Sequence, residues 1–311
     1  MSQKEENVMA SIPQKKIRVV LIGFFCLFFL QEIGQAEDFS RGFSLKLLGG
    51  YRTMTVGDFN TIFTDTGIYY DTLLSPHGFT KNKGLEVIKG GLDVQVEFIL
   101  HLTRNFGLSF GIGYIQADME SDMIWDNPLI GRLDVSTKSG LDAIPITLGG
   151  YYSLPLSRFI NMYLNAGAGL YLFQSEFEYE EVSKIQGSEG TLRSDYDANG
   201  NGFGFHGGLG LEVNLGSDVV LFIEGKGLSV RFGGLEGRMS LYGAIFTIHG
   251  DSGDIWYFEY YDENVSQYLS GILYEDKPDG ENLRNVLRLK IDLSGMSIQI
   301  GFRIGLGKWE R

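Results

Sequence analysis

Eight segments of this chain alternate apolar and polar residues with a period of two, which is the repeat of a β-strand. In residues 92–102, for example, every even position is apolar and most odd positions are polar. The eight segments cover residues 43–53, 92–102, 108–116, 144–153, 161–173, 203–215, 219–230 and 296–306. With 43 glycines among 311 residues, the chain is also poorly suited to a helical fold. The sequence therefore predicts an all-β protein.

The connections between these segments alternate between short and long. Short connections at 103–107, 154–160 and 216–218 are interleaved with long ones at 54–91, 117–143, 174–202 and 231–295. Barrels that cross an outer membrane have short periplasmic turns and long extracellular loops, and their strands cross with about 9–11 residues. We therefore expect an eight-stranded transmembrane antiparallel up-and-down β-barrel with both chain ends on the periplasmic side.

The last long connection leaves a second strand count open. Residues 241–249 and 255–261 are typical of a hairpin, which is either an extracellular flap or two further spanning strands that would make ten. The first of these segments alternates poorly and the second is short for a membrane strand. This pattern favours eight strands with a flap.

The apolar positions change parity near the end of the chain. Odd positions are apolar in residues 287–293, and even positions are apolar from Met296 onward. An extra residue in a strand re-aims the side chains that follow it. We therefore predict a bulge at residues 294–295, at the outer rim of the last strand.

The N-terminus has the pattern of a secretory signal. Three of the four residues at 15–18 are basic, residues 19–30 are apolar, and Gly34 and Ala36 provide a cleavage site. The alternative is an uncleaved anchor, but the apolar run is too short to span a bilayer as a helix. We expect a cleaved signal peptide at 1–36 and a barrel domain at 37–311. Cys26 lies within the signal, so the remaining chain has no thiol chemistry.

The chain is acidic, with a formal net charge of −13, and most of this charge falls in the four long connections. An acidic protein is a poor partner for nucleic acid. One hypothesis is that the loop acids share divalent cations with lipopolysaccharide phosphates. Another is that loop aromatics bind an unknown extracellular ligand; these are Trp125, Trp256, Tyr257, Phe258, Tyr260 and Tyr261.

Three stretches, AIPITLGGYYSLP (143–155), LNAGAGLYLF (164–173) and IDLSGMSIQIGFRIGLG (291–307), resemble the small outer-membrane β-barrel family that includes the OmpA barrel and OmpX. The resemblance implies export to the outer membrane, contact with its lipid and lipopolysaccharide, and insertion by the barrel assembly machinery. One feature departs from the family, whose chains usually end on an aromatic residue. This chain ends Trp309-Glu310-Arg311.

The interior of an eight-stranded barrel is narrow enough for side chains to fill. The alternation directs four acids and four bases inward, and charges in so narrow a space must be paired. The predicted lumen charges are Lys46, Arg52, Asp93, Glu97, Glu212, Glu224, Lys226 and Arg303. We expect four of them, Lys46, Glu97, Glu224 and Arg303, near mid-barrel. The pattern favours a plug and a structural or surface-interaction role, and the alternative is a narrow porin-like channel for small ions or solutes.

A third class is a lipid A-modifying enzyme, since some outer-membrane barrels use a histidine with a serine and an acid. The chain has His77, His101, His206 and His249. His101 and His206 are predicted to face the lumen, and the other two fall in loops without a serine and an acid at a recognisable spacing. We expect no enzyme, no catalytic residue and no cofactor.

The stretch SDYDANGNGFGFHGGLGLE at 194–212 contains two ligand-like motifs. Residues 195–200 match the start of a calcium loop, but its twelfth position is histidine instead of the required glutamate. Residues 202–207 match a phosphate-binding glycine turn, which should open a helix and here lies in a predicted strand. We expect the glycines to face the lumen and residues 195–202 to end an acidic loop. Only a weak cation site remains, formed by Asp195, Asp197 and Asn199.

Overall fold

The computed structural model describes residues 42–103, 105–185, 187–215, 218–243, 247–249 and 252–306. The predicted signal peptide, its Cys26 and the C-terminal residues 309–311 lie outside these ranges. Predictions about cleavage and about the chain end therefore stay predictions.

The described residues form fifteen strands that belong to one sheet. In chain order the strands are β1 (Phe43–Thr53), β2 (Thr80–Lys83), β3 (Gly90–His101), β4 (Phe106–Asn127), β5 (Gly131–Pro155), β6 (Ile160–Ile185), β7 (Ser188–Asn214), β8 (Val219–Phe232), β9 (Glu236–Gly243), β10 (Thr247–His249), β11 (Gly253–Asp262), β12 (Gln267–Glu275), β13 (Leu283–Arg288), β14 (Ile291–Asp292) and β15 (Gly295–Gly305). Helix α1 (Asp58–Leu74) and a short 3-10 turn (Ser75–His77) lie between β1 and β2.

Eight strands close into a ring, which confirms the predicted barrel. Strands β3 to β8 pair antiparallel with their neighbours, β1 pairs with β3, and β15 pairs with both β1 and β8. The ten-strand alternative is wrong because the ring closes without the hairpin strands. Residues 204–214 of β7 pair with β8, whereas residues 192–199 pair with β9. Strands β9 to β13 therefore form a flap above the ring.

Two of the predicted long loops are wrong, because most of their residues extend the ring strands. Strands β6 and β7 have 26 and 27 residues, and only residues 128–130 separate β4 from β5. The short connections at the other end lie where predicted. We call that end the turn end, and we call the extended parts of the strands, residues 117–127, 131–143, 174–185 and 188–201, the sleeve.

The sleeve was hidden because the side-chain pattern inverts along each strand. In β5, apolar side chains face outward over residues 144–154, whereas Leu133, Val135 and Leu141 face inward and are buried. On the turn-end side of the inversion, which we call below, the outer face is apolar and the lumen is polar. On the sleeve side, which we call above, the outer face is polar and the interior is apolar, as in a water-soluble protein.

The same inversion explains the parity change near the C-terminus, and the predicted bulge at residues 294–295 is wrong. Ile291 lies opposite Phe232 and Gly295 lies opposite Leu228, so the register with β8 is unbroken. Odd-numbered side chains face inward throughout. Around Leu293 these inward residues are apolar because they face the core of the sleeve. Further along the strand they are polar because they face the lumen, and the apolar residues are then the outward, even-numbered ones.

A hydrophobic core fills the sleeve, and helix α1 packs into it. Phe59 and Phe63 of the helix contact Phe177 of β6 edge to face, at ring centroid distances of 5.5 and 5.3 Å. This helix replaces part of the predicted loop at 54–91. The spacing of Phe59, Ile62, Phe63 and Tyr70 is typical of a helix, although a pattern with a period of two does not reveal it. No helix in the described ranges is both long and apolar enough to cross a bilayer.

A belt of large apolar side chains surrounds the lower part of the ring on its outer face. Leu148, Phe203, Phe205 and Ile298 are each more than 60% exposed to solvent. Residues 144–154 of β5 rise about 33 Å along the strand. At a tilt of about 40° this corresponds to a height of about 25 Å, which is the height of the apolar band on membrane barrels.

Candidate functional site: the charged lumen

The eight charged residues predicted to face the lumen are all buried, with exposures between 0% for Lys46 and 8% for Arg303. They alternate along the strands with the outward apolar residues of the belt. Each acid among them lies within ion-pair distance of a base from the same set. The strand alternation therefore places four negative and four positive side chains inside one closed ring.

A central cluster joins strands β1, β3 and β8 across the lumen. Lys46 Nζ lies 2.5 Å from Glu224 Oε2 and 3.6 Å from Glu97 Oε2. Lys226 Nζ lies 3.2 Å from Glu97 Oε1 and donates to Gln95 Oε1 at 2.6 Å. Each lysine thus interacts with at least one carboxylate, and Glu97 is shared between them.

Neutral side chains complete the coordination of Glu224. Tyr163 donates its hydroxyl to Oε2 at 2.6 Å, and the Asn165 amide donates to Oε1 at 2.7 Å. The Lys46 ammonium also lies 4.5 Å from the ring centroids of Tyr163 and Phe222. Tyr163 and Asn165 occupy odd positions of the fifth predicted segment, opposite its apolar even face. That parity would have placed them in the lumen from sequence alone.

A second cluster lies toward the turn end. Arg303 Nη2 donates to Glu212 Oε2 at 2.8 Å, and the Tyr151 hydroxyl donates to Glu212 Oε1 at 2.6 Å. The Ser44 hydroxyl lies 3.0 Å from His101 Nε2. Arg303 therefore pairs with Glu212 in this second cluster and not with the acids of the central cluster. It lies directly opposite Lys46 in the register of β1 and β15, and repulsion between the two cations favours their separation.

The third charge cluster is an ion pair at the sleeve end of the lumen. Arg52 donates through Nε to Asp93 Oδ2 at 2.9 Å, and its Nη2 also contacts this oxygen. Beyond this pair, Met54 and Val56 follow β1 and lie in the hydrophobic core of the sleeve. A solute moving along the barrel axis would meet three charge clusters and then a packed apolar region.

Some polar atoms of the lumen have no hydrogen-bond partner among the described residues. They include Arg52 Nη1, Asp93 Oδ1, His206 Nδ1 and both side-chain polar atoms of Gln299. Buried polar atoms of this kind usually bind ordered water. The lumen is thus polar along its length even though its charges are paired.

The glycine-rich segment of β7 contacts this network directly, as predicted. A methyl group added at Gly208 would lie 2.5 Å from Glu224 Oε1, and one at Gly210 would overlap the Tyr163 ring. These glycines therefore leave room for the lumen side chains. Because the segment is a strand that does not open a helix, its match to a phosphate-binding turn has no structural basis.

Asp195, Asp197 and Asn199 do not end a loop, and that prediction is wrong. They lie on the outer face of the sleeve part of β7. Arg193 donates to Asp195 at 2.9 Å, and the Arg238 backbone donates to Asp197 Oδ1 at 2.9 Å. In the described ranges, no group of three or more His, Cys, Asp or Glu side chains is arranged to hold a metal ion.

The remaining candidate residues are dispersed. His206 is buried in the lumen, His77 is exposed in the 3-10 turn, and the side chain of His249 lies outside the described residues. Of the loop aromatics, Trp125 and Tyr257 are buried and Tyr261 is 40% exposed. Two of the six aromatic side chains that the sequence assigned to loops are therefore buried, one in the sleeve and one in flap strand β11.

Comparison with known proteins adds little to this geometry. The chain matches no protein-family model and no curated protein. Among solved structures, the outer membrane protein OprG from Pseudomonas aeruginosa is 11% identical, with 85% of this chain and 96% of that chain covered and a TM-score of 0.35. The outer membrane protease OmpT from Escherichia coli is 9% identical, with 86% and 97% covered and a TM-score of 0.24. Likeness this weak carries no argument, so fold and site rest on the ring of eight strands and its charged lumen.

Proposed function

We propose that this chain is an integral outer-membrane β-barrel with a structural or surface-interaction role, and that paired charges plug its lumen. The observation that carries the proposal is the inversion of the side-chain pattern around the ring. Large apolar residues such as Leu148 and Ile298 face outward below the inversion, where only lipid would remove them from water. The sleeve above it has the polar exterior of a protein in water.

The paired lumen supports a plug over a channel. An unpaired buried ion costs several kcal/mol, so each of these charges depends on its partner. An ion that passed through would have to displace Lys46 or Lys226 from carboxylates within 3.6 Å. The packed core of the sleeve adds a second, apolar barrier.

The outer face of the sleeve supports the surface-interaction role. It carries acids from strands β4 and β6, including Asp118, Glu120, Glu176 and Glu178, on the side that would face the medium. The partners we propose are outer-membrane lipid, lipopolysaccharide and the assembly machinery, with an extracellular ligand for the sleeve. We propose no catalytic activity.

Conductance in planar bilayers tests the plug. We expect the refolded protein to insert without steady single-channel openings, because ions find no continuous aqueous path. Insertion is checked separately, by protection of the ring strands from added protease. A steady open level from inserted protein would contradict the plug and leave the barrel itself intact.

The second candidate is a narrow conduit for small ions, and the unpartnered polar atoms favour it. Gln299 and His206 offer polar atoms that no described residue engages, so water could line part of the lumen. In the conductance experiment this candidate predicts small, steady and salt-dependent openings.

A further inference from the structure

A cavity of 320 Å³ lies in the sleeve between helix α1 and strands β5, β6, β7, β11 and β12. Its walls are aromatic: Phe63 and Phe177 line it together with five tyrosines, at positions 69, 70, 179, 196 and 260. Pockets that bind small molecules begin at about 300 Å³. Tyr69 and Tyr260 are only half-buried, so part of the wall is open to solvent.

The electrostatics of the cavity favour a positive ligand. No lysine, arginine or histidine occurs among the described residues that line it, whereas Asp65 does. Ser270 donates to Asp65 Oδ2 through its backbone at 3.0 Å and its hydroxyl at 2.5 Å. Oδ1 accepts no hydrogen bond from the described residues, so one carboxylate oxygen remains available.

A second carboxylate lies behind the tyrosine wall. Glu181 Oε2 accepts hydrogen bonds from Tyr70 at 2.6 Å and from Tyr179 at 3.2 Å. Burial, followed by the neighbouring Tyr179 and Glu181, raises the pKa of Tyr70 well above its ordinary value. Burial and Glu181 do the same to the pKa of Tyr179. Both rings therefore stay neutral, with their negative π-faces intact.

We propose that this cavity binds a small organic cation, an alkylated ammonium group held between tyrosine faces with Asp65 as its counter-charge. Aromatic faces attract such cations most strongly where water is excluded, and cages of this kind recognise quaternary ammonium groups. This site would be a specific form of the proposed surface-interaction role. The inference depends on that role only for the side of the membrane from which the ligand enters. Binding to the folded protein in detergent does not depend on orientation.

Choline and its neutral isostere 3,3-dimethylbutan-1-ol test the proposal by titration calorimetry on the folded, detergent-solubilised chain. The two molecules share size and shape but differ in charge. We expect choline to bind and the isostere to bind at least about tenfold more weakly. Equal binding of both would mean that the cavity is merely apolar and would overturn the proposal, as would no binding of choline.

Two substitutions locate the site. We expect Tyr260→Leu to weaken choline binding about threefold to thirtyfold, because it removes one aromatic face. The matched control is Tyr261→Leu, whose side chain points to the other face of β11. Asp65→Asn is expected to weaken choline binding at least as much, with Asp71→Asn on the same helix as its control.

The two substitutions act on different parts of the wall, so one readout survives if the other variant fails to fold. If either folded cavity variant binds choline as tightly as its control, the proposal is wrong. Such a failure would leave the belt, the plugged lumen and the conductance result untouched, because none of them involves the cavity.

Discussion

Replacing Lys46 with methionine is expected to lower the free energy of unfolding by about 3–5 kcal/mol, which is the cost of removing one partner from a buried ion pair. Lys46 is completely buried and lies 2.5 Å from Glu224. Without it, Glu224 would keep only the neutral donors Tyr163 and Asn165. A urea titration of the refolded barrel, followed by its change in mobility on unheated gels, measures the loss.

The double variant Lys46→Met/Glu224→Gln is the control that separates charge from packing. Removing both charges should restore much of the lost stability, because no buried carboxylate is left unpaired. Lys138→Met provides a surface comparison, since Lys138 is exposed and lies 3.6 Å from Glu120; about 0–1 kcal/mol is expected there. If the Lys46 variant unfolded at the same urea concentration as the parent, the ion pairs of the lumen would contribute nothing to stability.

The second large effect concerns the outer surface. Leu148→Arg is expected to destabilise the barrel in lipid vesicles by about 2–4 kcal/mol, because it places a charge on the lipid face near the middle of the belt. Leu148 is 66% exposed in the absence of lipid. The free energy of unfolding from vesicles, measured against urea, gives the cost directly.

Ser136→Arg on the same strand is the matched control. Ser136 lies on the outer face of the sleeve, between Asp122 and Glu180 on the neighbouring strands. A surface substitution there is expected to change stability by no more than about 0.5 kcal/mol. Equal costs at the two positions would mean that the inversion does not mark the membrane boundary, and the belt would need another explanation.

The ring strands could be predicted from sequence wherever one pattern holds along a whole strand. Strand β1 begins and ends at the predicted residues, 43 and 53. The sleeve could not be predicted in the same way, because a strand whose apolar face changes sides has no single alternation. Each long strand therefore has a recognisable alternation only up to the inversion, and the acids in residues 117–143 and 174–202 are predicted to lie in loops.

For the lumen, alternation was enough to assign the direction of a side chain but not its partner. It placed Lys46, Glu97 and Arg303 inside the barrel. The partner depends on which side chains meet across a tilted ring, and that depends on register between strands far apart in sequence. Arg303 pairs with Glu212, 91 residues away, and no local pattern contains that information. The cavity beside α1 could not be predicted for the same reason, since its walls come from the helix and five strands.

If the chain is inserted in a membrane as proposed, the inversion of the side-chain pattern also sets the depth of the protein in the bilayer. If the barrel sank by one residue pair, the outward Asp142 and Gln116 would enter hydrocarbon; if it rose, Ile144 and its neighbours would enter water. Both movements carry an energetic cost. Tilting the barrel would lower one side of the ring and raise the other, so both costs would arise at once. The level of the inversion therefore restrains the insertion depth, and the sleeve stays at a constant height above the lipid headgroups.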